Sequence, residues 1–79
     1  MKVTVLVRPK EGILDPQGEA IRRSLNGLGY DCETVRAGKL FDLDVDADER
    51  GRALELAGEI AERLLANPLV EQFEVEVRR

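Results

Sequence analysis

The side chains best suited to chemistry in this sequence begin with a row of three aspartates. Asp42, Asp44 and Asp46 alternate along one segment, so they would lie on one face of a strand. Carboxylates arranged in this way could bind a hard cation, but such sites usually gather ligands from several segments or from a tight loop. We therefore interpret the row as a hydrophilic sheet face followed by a helix cap, and we predict no metal site.

Nucleophilic catalysis lacks its usual partners in this chain. The sequence contains no histidine, which removes the commonest general base and metal ligand. Ser24 falls in a predicted helix without a recognisable base, and Cys32 has neither a histidine nor a second cysteine to activate it. No glycine-rich loop has the spacing of a P-loop or of a dinucleotide-binding motif. We predict that the isolated chain has no catalytic residue and binds no cofactor.

Size and charge restrict the function further. The chain has 79 residues, which predicts a single domain over residues 1–79. The only cysteine cannot form an intrachain disulfide, and a lone thiol without a signal-like N-terminus predicts a cytoplasmic protein. A net charge of −4 with both signs well mixed argues against binding to nucleic acid or membrane. Small domains are often stabilised by disulfides, metals or partners, and here association with a partner remains.

Two hydrophobic periods alternate along the sequence. A period of two predicts strands at 2–8, around Val35, at 41–46 and at 72–77, and a period of 3.6 predicts helices at 16–28 and 48–66. The order βαββαβ is that of an α+β, ferredoxin-like two-layer sandwich. We expect an antiparallel sheet with both helices on one face, because each helix has a single apolar stripe. In the first helix that stripe is Ile21, Leu25 and Leu28. In the second helix the apolar face is wide and consists of Ala53, Ala57, Ile60, Ala61, Leu64 and Leu65, joined by Leu54.

The other face of the predicted sheet has no helix to cover it. In this topology the first and third strands are central, and their open faces carry Thr4, Leu6, Arg8, Asp42 and Asp44, with Leu40 nearby. A second subunit that covers part of this face would explain the leucines. Isolated exposed leucines are also normal, so both interpretations stay open.

Two short segments combine helix-start or turn residues with polar groups. Asp15-Pro16 is a strong helix start, and Gln17-Gly18 follows it in the first helical turn, where free backbone N–H groups could bind an anion or a carbonyl. Arg36-Ala37-Gly38-Lys39 places two cations around a glycine that fits either a hairpin turn or a bulge. From the residues alone, each segment is a cap or turn in solvent or a binding site.

These two segments, together with 64–71 (Leu-Leu-Ala-Asn-Pro-Leu-Val-Glu), resemble the small subunit of phosphoribosylformylglycinamidine synthase, the PurS family. The resemblance covers essentially the whole chain, with its three motifs in the family order. It implies a role in purine biosynthesis, within an ATP-dependent amidoligase that uses glutamine to convert formylglycinamide ribonucleotide to its amidine.

The resemblance also implies partners. In this family a glutaminase (PurQ-type) subunit releases ammonia, and a synthetase (PurL-type) subunit activates the substrate amide with ATP and Mg²⁺. The small subunit brings the two together, and whether ammonia passes along it is left open. The family forms dimers and sometimes tetramers, and the stoichiometry of the complex is not predicted. An ACT-type regulatory module that binds amino acids has the same topology and is the alternative.

The resemblance carries over no catalytic residue, and its motif positions are predicted to serve an interface or the structure. Asp15 and Pro16 are assigned to the helix start, and Gly38 to the backbone. The predicted contacts with a partner subunit are Gln17, Arg36 and Lys39. The complete set is Asp15, Pro16, Gln17, Gly18, Arg36, Gly38, Lys39, Asn67 and Pro68.

Overall fold

The computed structural model describes residues 1–78 and contains one antiparallel sheet and two helices. The elements are β1 (Lys2–Pro9), α1 (Pro16–Gly27), β2 (Lys39–Asp44), α2 (Arg50–Ile60) continued by a π-helical segment (Ala61–Leu65), and β3 (Glu71–Arg78). This arrangement confirms the predicted α+β, ferredoxin-like class. The predicted bounds of both helices and of the first and last strands agree with it to within two residues.

The central strand of the sheet is β1, which pairs antiparallel with β2 on one side and β3 on the other. Val3, Val5 and Val7 of β1 are 0%, 0% and 1% exposed and form the centre of the core. In the register, Val5 lies between Phe41 of β2 and Val75 of β3, so one face of the sheet is apolar across all three strands. Burying each valine contributes about 1.5–3 kcal/mol of transfer free energy.

One helix covers this apolar face. Along α2 and its π-helical continuation, Ala53, Ala57 and Ala61 recur every four residues and are all 0% exposed. Their small side chains let the helix approach the valine row of β1 closely. The sequence predicted this face of the helix, including Ala53 and Ala57.

The predicted apolar face of the second helix is wrong at Leu64, which is 80% exposed. The reason is the π-helical turn, in which the Ala66 N–H donates to the Ala61 carbonyl at 2.8 Å, five residues back. The extra residue in this turn rotates the chain, so that Ala66 is buried where a regular helix would bury Leu64.

The sheet has three strands, because the short strand predicted around Val35 does not form. Residues 31–38 lack regular hydrogen-bonded structure, and β2 begins at Lys39, so Gly38 belongs to neither a hairpin turn nor a bulge between strands. The third predicted strand, β2, is consequently an edge strand rather than a central one.

The absence of a strand around Val35 explains why α1 is not buried against the sheet. Three strands about 4.8 Å apart present a face only about 10 Å wide, which a single helix about 10 Å in diameter already covers. Of the twelve residues of α1 only Gly18 is buried, so the predicted burial of its apolar stripe is wrong within one chain. The radius of gyration is 15.6 Å, against about 12 Å for a compact chain of this length.

The open face of the sheet is polar and internally paired. The Thr4 hydroxyl donates to Asp42 Oδ1 at 2.8 Å, and Arg78 lies 3.4 Å from the same oxygen. Leu40 is 56% exposed beside this network. The open face therefore has few apolar groups to offer a second subunit. Within the described part of the chain, no helix is long and apolar enough to span a membrane.

Candidate functional site

The candidate site is built around the carboxylate of Asp15. Its Oδ1 accepts the Gly18 N–H at 3.1 Å, which caps α1, and its Oδ2 accepts the Ala37 N–H at 2.7 Å. One side chain thus joins the first turn of α1 to the segment that precedes β2. We call this arrangement, the Asp15 carboxylate with the N–H groups of Gly18 and Ala37, the Asp15 bridge. Pro16 occupies the first helical position beside it, as predicted.

Gly18 is required by a close approach of backbone to backbone. A Cβ atom at this position would lie closer than 3.0 Å to the carbonyl oxygen of Val35 and to the Asp15 carboxylate. Backbone oxygen cannot move away as a flexible side chain can, so any larger residue would push α1 away from the 35–37 segment. The sequence motif Asp-Pro-Gln-Gly is therefore explained here by packing within the chain. Gln17 is exposed in the same turn and takes no part in the Asp15 bridge.

Arg36 joins the same segment to the end of β1. Its guanidinium nitrogen donates to the carbonyl oxygens of Pro9 and Lys10, each at 2.8 Å. Arg36 is exposed as a residue, yet its charged end satisfies two backbone acceptors of its own chain. The structure therefore gives Arg36 an internal role, and its predicted contact with a partner subunit stays a prediction.

Gly38 lies beside the end of β1. A Cβ atom there would lie closer than 3.0 Å to the carbonyl oxygen of Val7, which is part of the central strand. A side chain at this position would separate the start of β2 from β1. This geometry agrees with the backbone role predicted for Gly38.

The third motif, the segment 64–71, contacts the same residues at the end of β1. The Lys10 N–H donates to the Val70 carbonyl at 2.9 Å, and Lys10 Nζ donates to the Pro68 carbonyl at 2.7 Å. Asn67 shapes the turn, because its side-chain oxygen accepts the Leu69 N–H at 3.1 Å. The Asn-Pro motif is thus held against the residues that follow β1.

Lys39 completes the connection between the second and third motifs. Its ammonium lies 3.6 Å from Glu71 Oε2, and Glu71 Oε1 accepts the Asn67 N–H at 2.7 Å. The structure therefore brings eight of the nine predicted positions into one hydrogen-bonded and closely packed region around Pro9 and Lys10. The contacts in this region fix backbone segments relative to one another.

Asp42 and Asp44 of the aspartate row, considered above for metal binding, and the Cys32 thiol, considered for nucleophilic chemistry, are paired with other groups of the chain. Asp42 is paired with Thr4 and Arg78, and Asp44 Oδ1 lies 3.3 Å from the Met1 ammonium, so each carboxylate already has a protein partner. Among residues 1–78 no three His, Cys, Asp or Glu side chains are grouped as they would be for a metal. The Cys32 thiol donates to the Thr34 carbonyl at 3.4 Å.

Sequence reasoning missed Pro9, Lys10 and Glu71, which connect the three motifs. Glu71 ends the segment 64–71, but nothing local gives any of the three a site role, because the contacts through which they connect the motifs are all with residues far away in the sequence. A pairing of the ends of β1 and β3 would have indicated them, because the register places Pro9 opposite Glu71.

The pKa of Asp15 supplies a test of the bridge. Hydrogen bonds from the N–H of Ala37 and then of Gly18, with the nearby Arg36 guanidinium, hold the pKa of Asp15 below its ordinary value, while partial burial opposes them. Because the pKa is lowered, the bridge stabilises the fold at any pH above the pKa of Asp15 in the unfolded chain, which is about 3.9. This stabilisation is lost as the pH falls through the pKa of Asp15 in the folded chain.

We expect the amide resonance of Ala37 to titrate with a midpoint below that of an ordinary aspartate in an NMR pH series. The same resonance in Asp15→Asn should show no such transition, because the titrating group is gone. A midpoint at or above the ordinary value in the native chain would contradict the bridge.

Comparisons with known proteins agree over nearly the full length. The PurS family model, described as phosphoribosylformylglycinamidine (FGAM) synthase, matches residues 2–79. The PurS subunit of FGAM synthase from Bacillus subtilis is 39% identical over 77 residues, which cover 96% of this chain and 90% of that protein.

Solved structures agree as closely. The crystal structure of PurS from Methanocaldococcus jannaschii is 33% identical, covers 99% of this chain and 95% of that one, and superposes with a TM-score of 0.86. A chain in the structure of PurLQS from Thermotoga maritima is 36% identical, with coverages of 95% and 93% and a TM-score of 0.86. With a family model that spans almost every residue and relatives of matching length and fold, the chain belongs to the PurS family of FGAM synthase subunits.

Proposed function

We propose that this chain acts in purine biosynthesis by bringing the glutaminase and synthetase subunits of FGAM synthase together. The observation that carries the proposal is the match to a chain in the PurLQS structure, over 95% of this sequence at a TM-score of 0.86. The name of that assembly joins PurS to PurL and PurQ. A chain of the same fold and of matching length fits the same position in such an assembly.

The chemistry in this proposal belongs to the other subunits. The reaction forms a carbon–nitrogen bond with ATP and with ammonia taken from glutamine, and we place ATP and Mg²⁺ in the synthetase subunit. The described residues supply hydrogen bonds that fix backbone segments, together with exposed apolar side chains. Such a domain contributes to catalysis by holding two active sites in register. We place it in the cytoplasm as a single domain over 1–79.

We also propose that two copies associate through α1 and its neighbouring loops. Ile21 is 40% exposed and Leu28 is 76% exposed, on the stripe that the sequence predicted to be buried. Leu14, 80% exposed, and Tyr30, 65% exposed, flank the helix. A three-stranded sheet already covered by α2 leaves no room for α1 in its own chain. The same stripe on a second copy is apolar and complementary by two-fold symmetry.

Membership in the PurS family decides between the two functions that the topology allowed. An ACT-type regulatory module shares the ferredoxin-like fold but would not match a PurS model over residues 2–79. The three ordered motifs, which such a module does not explain, are joined in the structure by the contacts around Pro9 and Lys10.

Reconstitution with candidate synthetase and glutaminase subunits tests the proposal. With all three chains present, we expect turnover with either glutamine or free ammonia. Omission of this chain should abolish the glutamine-dependent reaction, because ammonia then has no assembled route between the two active sites. The ammonia-dependent reaction should continue.

The control is addition of the chain after its omission, which should restore the glutamine-dependent rate. Equal glutamine-dependent rates with and without the chain would refute the coupling role. Loss of both reactions on omission would instead give the chain a direct part in synthetase activity.

A further inference from the structure

Neither the fold class nor the proposed function explains the direction of α1. The helix begins after a loop at residues 10–15 and has no sheet beneath it, so its own packing does not orient it. A helix that must meet a partner nevertheless needs a defined direction, since a mobile helix loses conformational entropy on association.

We infer that Asp15 is a positioning residue that sets the direction of α1 for assembly, by bonding its first turn to the segment that leads into β2. This inference rests on the proposed assembly function, and it makes Asp15 act through α1 rather than through contact with substrate.

The first support is the double use of one carboxylate. An N-cap alone needs one side-chain oxygen, and here Oδ1 bonds to the Gly18 N–H. The second oxygen bonds to the Ala37 N–H at 2.7 Å, 22 residues away in sequence. This longer connection adds nothing to the helix itself, and its effect is to fix the helix relative to the rest of the chain.

The second support is the continuity of the connection to the sheet. Arg36, next to Ala37, donates to the carbonyls of Pro9 and Lys10 at the end of β1, and β2 begins at Lys39. The 35–38 segment is therefore tied to the central strand on one side and to α1 on the other. Asp15 is the side chain that joins the two.

The third support is the fit at Gly18. The absence of a side chain there lets the first turn of α1 lie directly against the Val35 carbonyl. Gly18 is also the only buried residue of α1. The most buried contact between α1 and its own chain is thus in the first turn, where the Asp15 bridge lies, while the Asn26 side chain bonds the last turn to the backbone of Cys32, only six residues later.

The test compares Asp15→Ala with Asp15→Asn and with Asp31→Ala. Alanine removes both hydrogen bonds, whereas asparagine keeps one carbonyl oxygen and so can keep one of them. Asp31→Ala removes an exposed carboxylate from the loop after α1 and serves as the matched control. The concentration of each chain that gives half-maximal glutamine-dependent turnover is measured at fixed synthetase and glutaminase.

For Asp15→Ala we expect this half-saturating concentration to rise roughly tenfold, the scale of a lost N-cap, while the maximal rate at saturation is unchanged. Asp15→Asn should lie between alanine and the native chain, and Asp31→Ala should match the native chain. The thermal midpoint of Asp15→Ala should fall by only the few degrees that a lost helix cap accounts for, since the valine core does not contact the bridge, and Asp31→Ala should melt like the native chain. A larger fall in the midpoint together with a lowered maximal rate would show a merely structural role and overturn the inference.

A second readout needs no partner subunit. Trypsin should cleave the isolated Asp15→Ala chain after Arg36 faster than the native chain, because the 35–38 segment is released. Equal cleavage rates would overturn the inference directly. If the native chain fails to support glutamine-dependent turnover, the proposed function fails while the trypsin result still decides the role of Asp15.

Discussion

Replacing Val5 by lysine is expected to unfold the domain and to abolish every activity that depends on it. Val5 is 0% exposed at the centre of β1, between Phe41 and Val75. An ammonium left without a partner in such a place costs roughly 3–5 kcal/mol. Native proteins are stable by only about 5–15 kcal/mol, and domains of this length fall near the lower end. Thermal denaturation followed by far-UV circular dichroism measures the loss.

The adjacent residue provides a matched control. Leu6 points to the opposite face of β1 and lies opposite Glu74 in the register, so Leu6→Lys introduces the same side chain on the polar face. We expect its free energy of unfolding to change by about 1 kcal/mol or less. If Val5→Lys and Leu6→Lys destabilised the domain equally, one face of β1 could not be the buried core and the other the solvent-exposed face.

The Leu6→Lys chain also answers a question about assembly. If a partner subunit covers the open face, the folded variant should fail to support glutamine-dependent turnover. The face already carries the Thr4–Asp42–Arg78 network, and Leu6 is the only half-buried apolar residue beside the exposed Leu40 there. We therefore expect normal coupling by this variant, with the interface elsewhere.

The parts of the fold that the sequence predicted correctly are those decided by local pattern. Val3, Val5 and Val7 recur at every second position, and this period of two places them on one buried face whatever their partners are. Asp15-Pro16 starts α1 because capping depends on the nearest four residues. The role of Asp15 as a cap follows from this local rule, whereas the close approach at Gly38 involves the carbonyl of Val7, far away in the sequence.

The parts that could not be predicted depend on the rest of the chain. The segment around Val35 has the pattern of a strand, but in the structure the Ala37 N–H is bonded to Asp15 rather than to a neighbouring strand. Once that strand is absent, the sheet is too narrow for α1. An apolar stripe predicts that a helix will be buried, and it does not say whether its own chain or another chain buries it.

Replacing Ile21 and Leu25 together by aspartate tests which chain buries α1. Both lie on the apolar stripe, and Leu25 is half-buried in the single chain. If a second copy packs on this stripe, two buried carboxylates should weaken self-association by roughly 100-fold or more. Sedimentation velocity over a range of concentrations measures the shift from the associated form to the monomer.

Arg23→Asp is the charge-matched control for this variant. It changes the net charge by −2, as the double substitution does, and Arg23 is exposed about 200° around the helix from Ile21. Its self-association should equal that of the native chain, which separates the effect of the stripe from that of charge.

The stability of the double variant decides what α1 does in the monomer. Because the core consists of Val3, Val5 and Val7 beneath α2, its thermal midpoint at low concentration should be unchanged by substitutions on α1. A large fall in that midpoint would place α1 on its own sheet. An unchanged midpoint with lost association would make α1 an element whose apolar face is completed only by a second chain, and then the Asp15 bridge would hold in place a helix that belongs energetically to the assembly.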